Sequence, residues 1–496
     1  MKLQKHWKIS LLAILAIGPG FILNGALTSI QSLIQKNFGL ETSSLFSPLI
    51  IGSIAFALFI PLGPLLKHKL GVRLTYQISM TLFILGALLA ASATDMQWLS
   101  VGRFVQGIAT GVMLMIMIPM LVLSFPIDKR NLAFTILLGG FFGSVIMGMF
   151  LGNVAIMIKQ WRWLFYIAGV ISLTGMMLCR LFLQDEHPHH PESHHRSMDI
   201  LGITVMIIIS VSTLAAFNHL QEWVGSPFNV WFTIGGIFLT LIVLFIVEFK
   251  AKNPLVDFHL IMHPKPLLGM LITITSNTVM AGTLLALQGL LQNVYGIPTK
   301  QLLLLYMCQF IGVIAAALLC TLLYDKLGPG LLGMIGSLAI ATVSLQWFYL
   351  KEPYSFMLMA LDLTLLTAGI GITTGSGLMG AALGGALPDL VKRMTVVQFI
   401  RYSLYIALTV FIGWVLKEDS ASNLKMIVLT KTIQNEQEKQ SIALSMTYHD
   451  FFLASFILSL LLLCLCLGKH LTGKGHKLAH KPHHEQKNKK FNSSIQ

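Results

Sequence analysis

Long apolar segments, separated by short polar stretches, follow one another along almost the whole chain. Each is about 20 residues long, enough to cross the hydrocarbon core of a bilayer as an α-helix. None alternates with the period of two expected of a membrane β-strand. The pattern therefore predicts an all-α polytopic membrane protein with about 14 transmembrane helices. The predicted spans are residues 9–30, 45–66, 74–93, 98–124, 132–158, 164–184, 199–219, 228–248, 266–288, 302–323, 331–349, 355–377, 395–416 and 449–468.

Composition and charge support this interpretation and indicate the topology. Charged residues make up 11% of the 496 residues, whereas soluble proteins carry about a quarter. The net charge of +14 does not indicate nucleic-acid binding, because the basic residues lie in short loops and a tail. With the N-terminus inside, inner segments hold about 23 Lys and Arg and outer loops about nine. We therefore expect a multi-pass protein of the inner (plasma) membrane with both termini cytoplasmic.

Two polar segments and a weak internal repeat suggest how the chain is divided. GPLLKHKLGVR at residues 63–73 and TLLYDKLGPG at 321–330 both follow an apolar segment and precede another. Related halves around a midplane site are a common transporter design. The predicted organisation is a six-helix bundle (1–184), a His-rich cytoplasmic linker (185–198), two inserted helices (199–250), a second six-helix bundle (251–468) and a basic cytoplasmic tail (469–496).

Short motifs at the starts of predicted spans four and six add a family resemblance. Arg103 begins an RFVQG sequence inside span four, where a buried charge is costly and points to function. WRWLFYI at Trp161–Ile167 begins span six. These motifs resemble those of the major facilitator superfamily, specifically its fourteen-helix drug:proton antiporter branch. The resemblance covers nearly the whole chain and implies a major facilitator fold. It also implies that Arg103 takes part in proton transfer.

The chain departs from that family pattern at several positions. The antiporter motif of span five normally reads GPxxGG, whereas this chain has glycines with Met149 in place of the proline. The acid expected in the loop after span two is replaced by Lys67, and the acid expected in span one by Pro19. Helix packing is predicted to use Gly143, Gly148 and Gly152, and gating to use Gly63, Lys67, Gly71, Arg73, Asp325 and Lys326.

Proton coupling requires a titratable group in the transport path. Asp362 is the one carboxylate in the predicted spans away from their ends, roughly 10 Å along its helix. We expect it to be the coupling group, or to pair with Arg103 or Arg401 across the cavity; a purely structural partnership with Arg401 is the alternative. Polar residues in the spans could bind cargo or form helix–helix hydrogen bonds. The cavity candidates are Asn24, Gln106, Gln288 and Gln309, and Asn277 and Gln398 are further polar residues in the spans.

The favoured function is multidrug-type, proton-coupled efflux of a small organic molecule by alternating access. Histidine clusters in the linker and tail, with the departures at Pro19, Lys67 and Met149, favour as an alternative the import or export of a siderophore or metal chelate. A receptor or sensor that does not transport is a third possibility. No P-loop or hydrolytic motif is present, so an enzyme is not expected. The expected partners are a small molecule, protons and the bilayer; the expected state is a monomer without cofactor, defined metal site or nucleic acid.

Overall fold

The structure is a computed structural model that describes residues 4–40, 47–126, 129–183, 202, 204, 208, 227–251, 254, 256–350, 355–429 and 435–473. The regular elements within these residues are helices, which confirms the predicted all-α fold. Span seven lies largely outside the described residues, so the number of fourteen spans stays a prediction. The main helices are α1 Lys5–Asn37, α2 Ser47–Phe59, α3 Leu62–Ala91, α4 Met96–Ser124, α5 Gly143–Met157, α6 Trp163–Phe182, α7 Pro227–Lys250, α8 Pro264–Gly289, α9 Thr299–Tyr349, α10 Phe356–Ala382, α11 Leu390–Leu429 and α12 Glu436–Leu471.

Shorter helical segments connect these elements. A helical turn at Leu132–Phe134 and a π-helix at Thr135–Phe142 lead directly into α5. A second π-helix, Leu290–Val294, continues α8, and a 3₁₀ turn at Phe258–Ile261 precedes it. Large apolar side chains remain exposed on the outer faces, for example Leu181 at 75%. Such surfaces are stable in lipid rather than in water.

Two of the long helices break at a glycine, and the longer of them contains two predicted spans. Helix α9 has 51 residues and would be about 76 Å long if straight, more than twice the hydrocarbon thickness of a bilayer. It breaks at Gly328, where φ is 78° and ψ is 169°. Helix α3 breaks at Gly71 with φ 76° and ψ 167°. The sequence repeat at 63–73 and 321–330 is thus also a repeat of backbone geometry, in a region open essentially to glycine alone.

We expect Gly71→Ala and Gly328→Ala each to destabilise the protein by about 1–3 kcal/mol, because a Cβ atom makes this backbone conformation strained. Thermal unfolding of the purified chain in detergent would measure the loss. Gly236→Ala is the matched control, since Gly236 lies within α7 and a Cβ there meets nothing within 4 Å. Equal unfolding temperatures for all three variants would contradict the prediction.

The helices pack in two groups that meet around a central space. Helices α1 to α6 contact one another, and so do α8 to α12, while α7 packs against α11. Between the groups, α5 and its preceding π-helix contact the first half of α9, and α2 contacts α11. Near the start of α1 the groups are joined by Asn131 Nδ2, which donates to Asp325 Oδ2 at 2.7 Å. Near the end of α1 they are joined by Gln292 Nε2, which donates to Asn153 Oδ1 at 3.1 Å.

Candidate functional site

A cavity lies between the two helix groups and offers about 140 Å³ of solvent-accessible space. By the same measure one water needs about 10–15 Å³, so the space suits a small organic molecule. The wall is mainly apolar and aromatic, with a few converging polar side chains, which is typical of ligand sites. Of the described residues that line the cavity, one is charged, and it is Arg401. The other polar or aromatic residues of the lining are Phe21, Asn24, Thr28, Ser53, Phe141, Phe142, Asn277, Thr374, Gln398, Tyr402 and Tyr405.

Arg401 of α11 is held by two amides and a ring. Its Nε and Nη2 atoms donate to Asn277 Oδ1 of α8 at 3.4 and 3.2 Å. Its Nη1 atom donates to Gln398 Oε1 at 3.2 Å, one helical turn earlier. The guanidinium lies 4.9 Å from the centre of the Tyr402 ring. Arg401 is 9% exposed, so its charge is buried among neutral partners at the cavity wall.

Arg103 of α4 forms a matching group behind the cavity. Its Nη1 atom donates to Gln106 Oε1 at 2.8 Å, and its Nη2 atom donates to Asn24 Oδ1 of α1. Arg103 is 2% exposed and Gln106 fully buried, so only Asn24 of this group reaches the cavity. Each group therefore consists of an arginine, a glutamine three residues away and an asparagine from the first helix of its own bundle. The reversed order, QxxR at 398–401 against RxxQ at 103–106, is the sequence signal that could have identified Gln398 as a site residue.

Asp362 lies elsewhere. Its Oδ2 atom accepts hydrogen bonds from Gln346 Nε2 at 3.0 Å and from Trp347 Nε1 at 3.1 Å, both from α9. At about 100° per residue, the cavity-lining Thr374 and Leu378 are rotated about 120° and 160° from Asp362 around α10. The structure therefore does not bring Asp362 to Arg103 or Arg401. The apolar pattern predicted that Asp362 lies within a helix, but it could not predict which side of that helix the carboxylate occupies.

Two further cavity candidates, Gln309 and Gln288, lie on other parts of α9 and α8. Gln309 of α9 is 1% exposed and packs beside Thr367 of α10, whose hydroxyl donates to the Gln309 carbonyl at 3.0 Å. Gln288 lies half-buried near the end of α8. Neither is among the residues that line the cavity within the described part of the chain.

The predicted gating residues lie near the chain bends, at the end of the bundle where α1 begins. Lys67 and Gly71 line a second, basic cavity together with Lys5 and His68. A Cβ on Gly63 would lie 2.6 Å from the Val112 carbonyl oxygen of α4. The remaining members are Asp325, which accepts from Asn131 of the other helix group, Lys326, two residues before the Gly328 kink, and Arg73, two residues after the Gly71 kink.

The predicted packing glycines lie at close helix contacts. A Cβ on Gly148 would lie 2.0 Å from the Ile22 carbonyl oxygen of α1, and one on Gly152 would lie 2.8 Å from that of Ala26. A Cβ on Gly143 would lie 2.9 Å from the Phe310 ring of α9. Helices α1 and α5 therefore touch along their backbones, which forms one wall of the cavity.

The histidine clusters of the linker and tail lie outside the described residues. Within the residues that are described, no group of three or more His, Cys, Asp or Glu is placed to hold a metal ion.

A bundle of long apolar helices in two groups around a central cavity is typical of secondary membrane transporters. A model of the Major Facilitator Superfamily matches residues 9–413, and the chain belongs to that family. It is therefore a multi-pass membrane transporter rather than an enzyme.

Relatives and solved structures agree with this assignment. The chain is 46% identical over 487 residues to YubD of Bacillus subtilis (strain 168), described as an uncharacterized MFS-type transporter, covering 98% of this chain and 93% of the relative. It is 25% identical over 250 residues to the multidrug export protein EmrB of Haemophilus influenzae, covering 49% of this chain and 47% of the relative. The proton:xylose symporter XylE shares the fold, with a TM-score of 0.56, 15% identity and coverage of 92% of this chain and 96% of that one.

Proposed function

We propose that the protein exports a small organic molecule from the cell by alternating access, with the central cavity as the cargo site. The observation that carries this proposal is the mainly apolar cavity between two helix groups, with Arg401 and three amides in its wall. The relationship to the multidrug export protein EmrB, although limited to about half of each chain, supports export of drug-like cargo. The fourteen-helix drug:proton antiporter branch is the subfamily that we infer.

Coupling to the proton gradient is part of the proposal. The RFVQG motif supports it, because in the resembling family its arginine takes part in proton transfer and Arg103 is tied to the cavity residue Asn24. Asp362 remains the proposed proton acceptor. Its contacts with Gln346 and Trp347 would link protonation to the packing of α9 against α10 rather than to the cavity directly. The positive charges of the inner loops and tail support an inner-membrane location with cytoplasmic termini.

Transport by the purified full chain in liposomes with an imposed pH gradient tests the proposal. The dyes to compare are cationic rhodamine 123, neutral Nile red and anionic fluorescein. We expect at least one dye to move against its own gradient while the pH gradient lasts. Asp362→Asn should reduce this uphill movement by about tenfold or more and leave downhill exchange in place, because only coupling requires the titratable group.

The outcomes separate the parts of the proposal. Dye movement that does not depend on the pH gradient would overturn proton coupling. If Asp362→Asn moves the dye as fast as the wild type does, Asp362 has no part in the mechanism. Absence of movement for every dye would contradict export of drug-like molecules. Arg180→Gln is a suitable control for the loss of a charged side chain, since Arg180 is exposed at the end of α6.

A further inference from the structure

Within the part of the chain that the structure describes, Arg401 has no acidic partner at the cavity. The hydrogen bonds of its guanidinium go to the neutral side chains of Asn277 and Gln398. Among the described residues that line the cavity there is no aspartate or glutamate. A buried charge without a counter-charge is unfavourable. A negatively charged ligand would therefore be stabilised at this wall, and a positively charged one would be repelled.

The amides of the wall also turn their donors toward a ligand. An arginine can only donate hydrogen bonds, so an amide that bonds to it must present its oxygen. Arg103 binds Asn24 in this way, and Arg401 binds Asn277 and Gln398. With these oxygens occupied, each of the three amides has its NH₂ group to offer. All three side chains line the cavity, so the amides present donors to a ligand alongside Arg401.

Arg401 itself keeps donor capacity. A guanidinium has five N–H groups, and three hydrogen bonds to Asn277 and Gln398 occupy three of them. One N–H remains on each of the two terminal nitrogens. Carboxylate, sulfonate and phosphate oxygens are the acceptors that bind a guanidinium most strongly, often with two parallel bonds.

Aromatic rings supply the rest of the surface. Tyr402 packs edge-on against Phe56 of α2 with ring centres 4.5 Å apart, and Phe56 in turn packs against Phe21 at 6.0 Å. Phe21 also contacts Phe141 at 6.2 Å, so a row of rings crosses from one helix group to the other beside Arg401. Such a row favours a ligand with a flat apolar body.

We propose that the cargo is an organic anion, an aromatic or apolar body with a carboxylate, sulfonate or phosphate group that binds Arg401. This inference rests on the proposed function only in taking the cavity as the cargo site. It narrows the substrate class, because a cationic drug would bring a second positive charge to a wall whose described residues include no carboxylate.

Three ligands that share one ring system and differ in charge test the inference. They are 2-naphthalenesulfonate, 2-naphthalenesulfonamide and 2-naphthylmethylammonium, and their binding to the purified full chain is measured by equilibrium dialysis. We expect the sulfonate to bind about tenfold or more tightly than the sulfonamide, with the ammonium weakest. Arg401→Gln should abolish this preference. Arg401→Lys should keep part of it, because lysine retains the charge but lacks the planar guanidinium that can donate two parallel hydrogen bonds. Arg180→Gln, which removes an exposed arginine, should bind like the wild type.

The inference is overturned if the sulfonamide or the ammonium binds as tightly as the sulfonate, or if none of the three binds. It is also overturned if the preference for the sulfonate persists in Arg401→Gln. The comparison of ligands on the wild type needs no variant, so a misfolded substitution does not remove the test. Sulfonate binding without gradient-driven dye movement would count against export alone. Movement of rhodamine 123 without sulfonate binding would count against the anion site alone.

Discussion

Gly148→Ala is expected to remove most folded protein from the membrane. A Cβ at this position would lie 2.0 Å from the Ile22 carbonyl oxygen and 3.0 Å from the Ala26 backbone nitrogen. The contact is reciprocal, because a Cβ on Gly25 would lie 2.0 Å from the Val145 carbonyl oxygen. Backbone atoms on both sides cannot rotate away as a side chain can, so α1 and α5 would have to separate. We expect a destabilisation of about 3 kcal/mol, the upper end for overpacked sites.

Folded yield and thermal unfolding in detergent measure this effect. The matched control is Gly169→Ala in α6, where the new Cβ would lie 3.7 Å from the Ala87 Cβ atom, an ordinary contact. Alanine in the middle of a helix should stabilise that variant by about 0.5–1 kcal/mol. If the two variants unfold at the same temperature, the tight contact between α1 and α5 is not a determinant of stability.

Patterns along the chain predicted the features that depend on local sequence. Apolar run length predicted the helices, since a span is defined by its own residues. The Leu-Gly repeat located the two kinks at Gly71 and Gly328, because only glycine adopts that backbone geometry. Buried Arg103 was identified in the same way, from a charge within an apolar run.

Features that depend on how the helices are oriented toward one another could not be predicted from the sequence. Asp362 lies within a predicted span, but its face of α10 meets α9 and not the cavity. The sequence did not distinguish Asn277 from the other polar residues in the spans. The packing of α8 against α11 is what brings Asn277 to Arg401. Side chains 124 positions apart in the chain meet there, and no spacing rule within one helix predicts such a contact.

The two arginine groups suggest how cargo and helix movement are connected. Each arginine holds an asparagine of the first helix in its bundle, Asn24 in α1 and Asn277 in α8, and both asparagines line the cavity. Arg401 lines the cavity, so in the proposed function it would bind cargo directly. Arg103 lies behind Asn24 and can act on cargo only through the position of that amide.

Arg103→Gln is therefore expected to reduce transport by about tenfold or more without removing the cargo site. The substitution leaves the oxygens of Asn24 and Gln106 without their charged donor, at a cost of about 1–3 kcal/mol for the buried Gln106 oxygen. Arg103→Lys should restore little, because one ammonium cannot reproduce the planar fork that reaches both amides. Transport of the dye that the wild type moves, divided by the amount of folded protein, is the measurement, with Arg180→Gln as the control.

A double-mutant cycle distinguishes a positioning role from simple loss of stability. If Arg103 acts through Asn24, then Asn24→Ala and Arg103→Gln should each impair transport, and the double variant should be little worse than either alone. The coupling arises because both single changes break the same hydrogen bond between α4 and α1. Fully additive losses would show that the two residues act separately, and Arg103 would then owe its effect to something other than the orientation of the cavity amide.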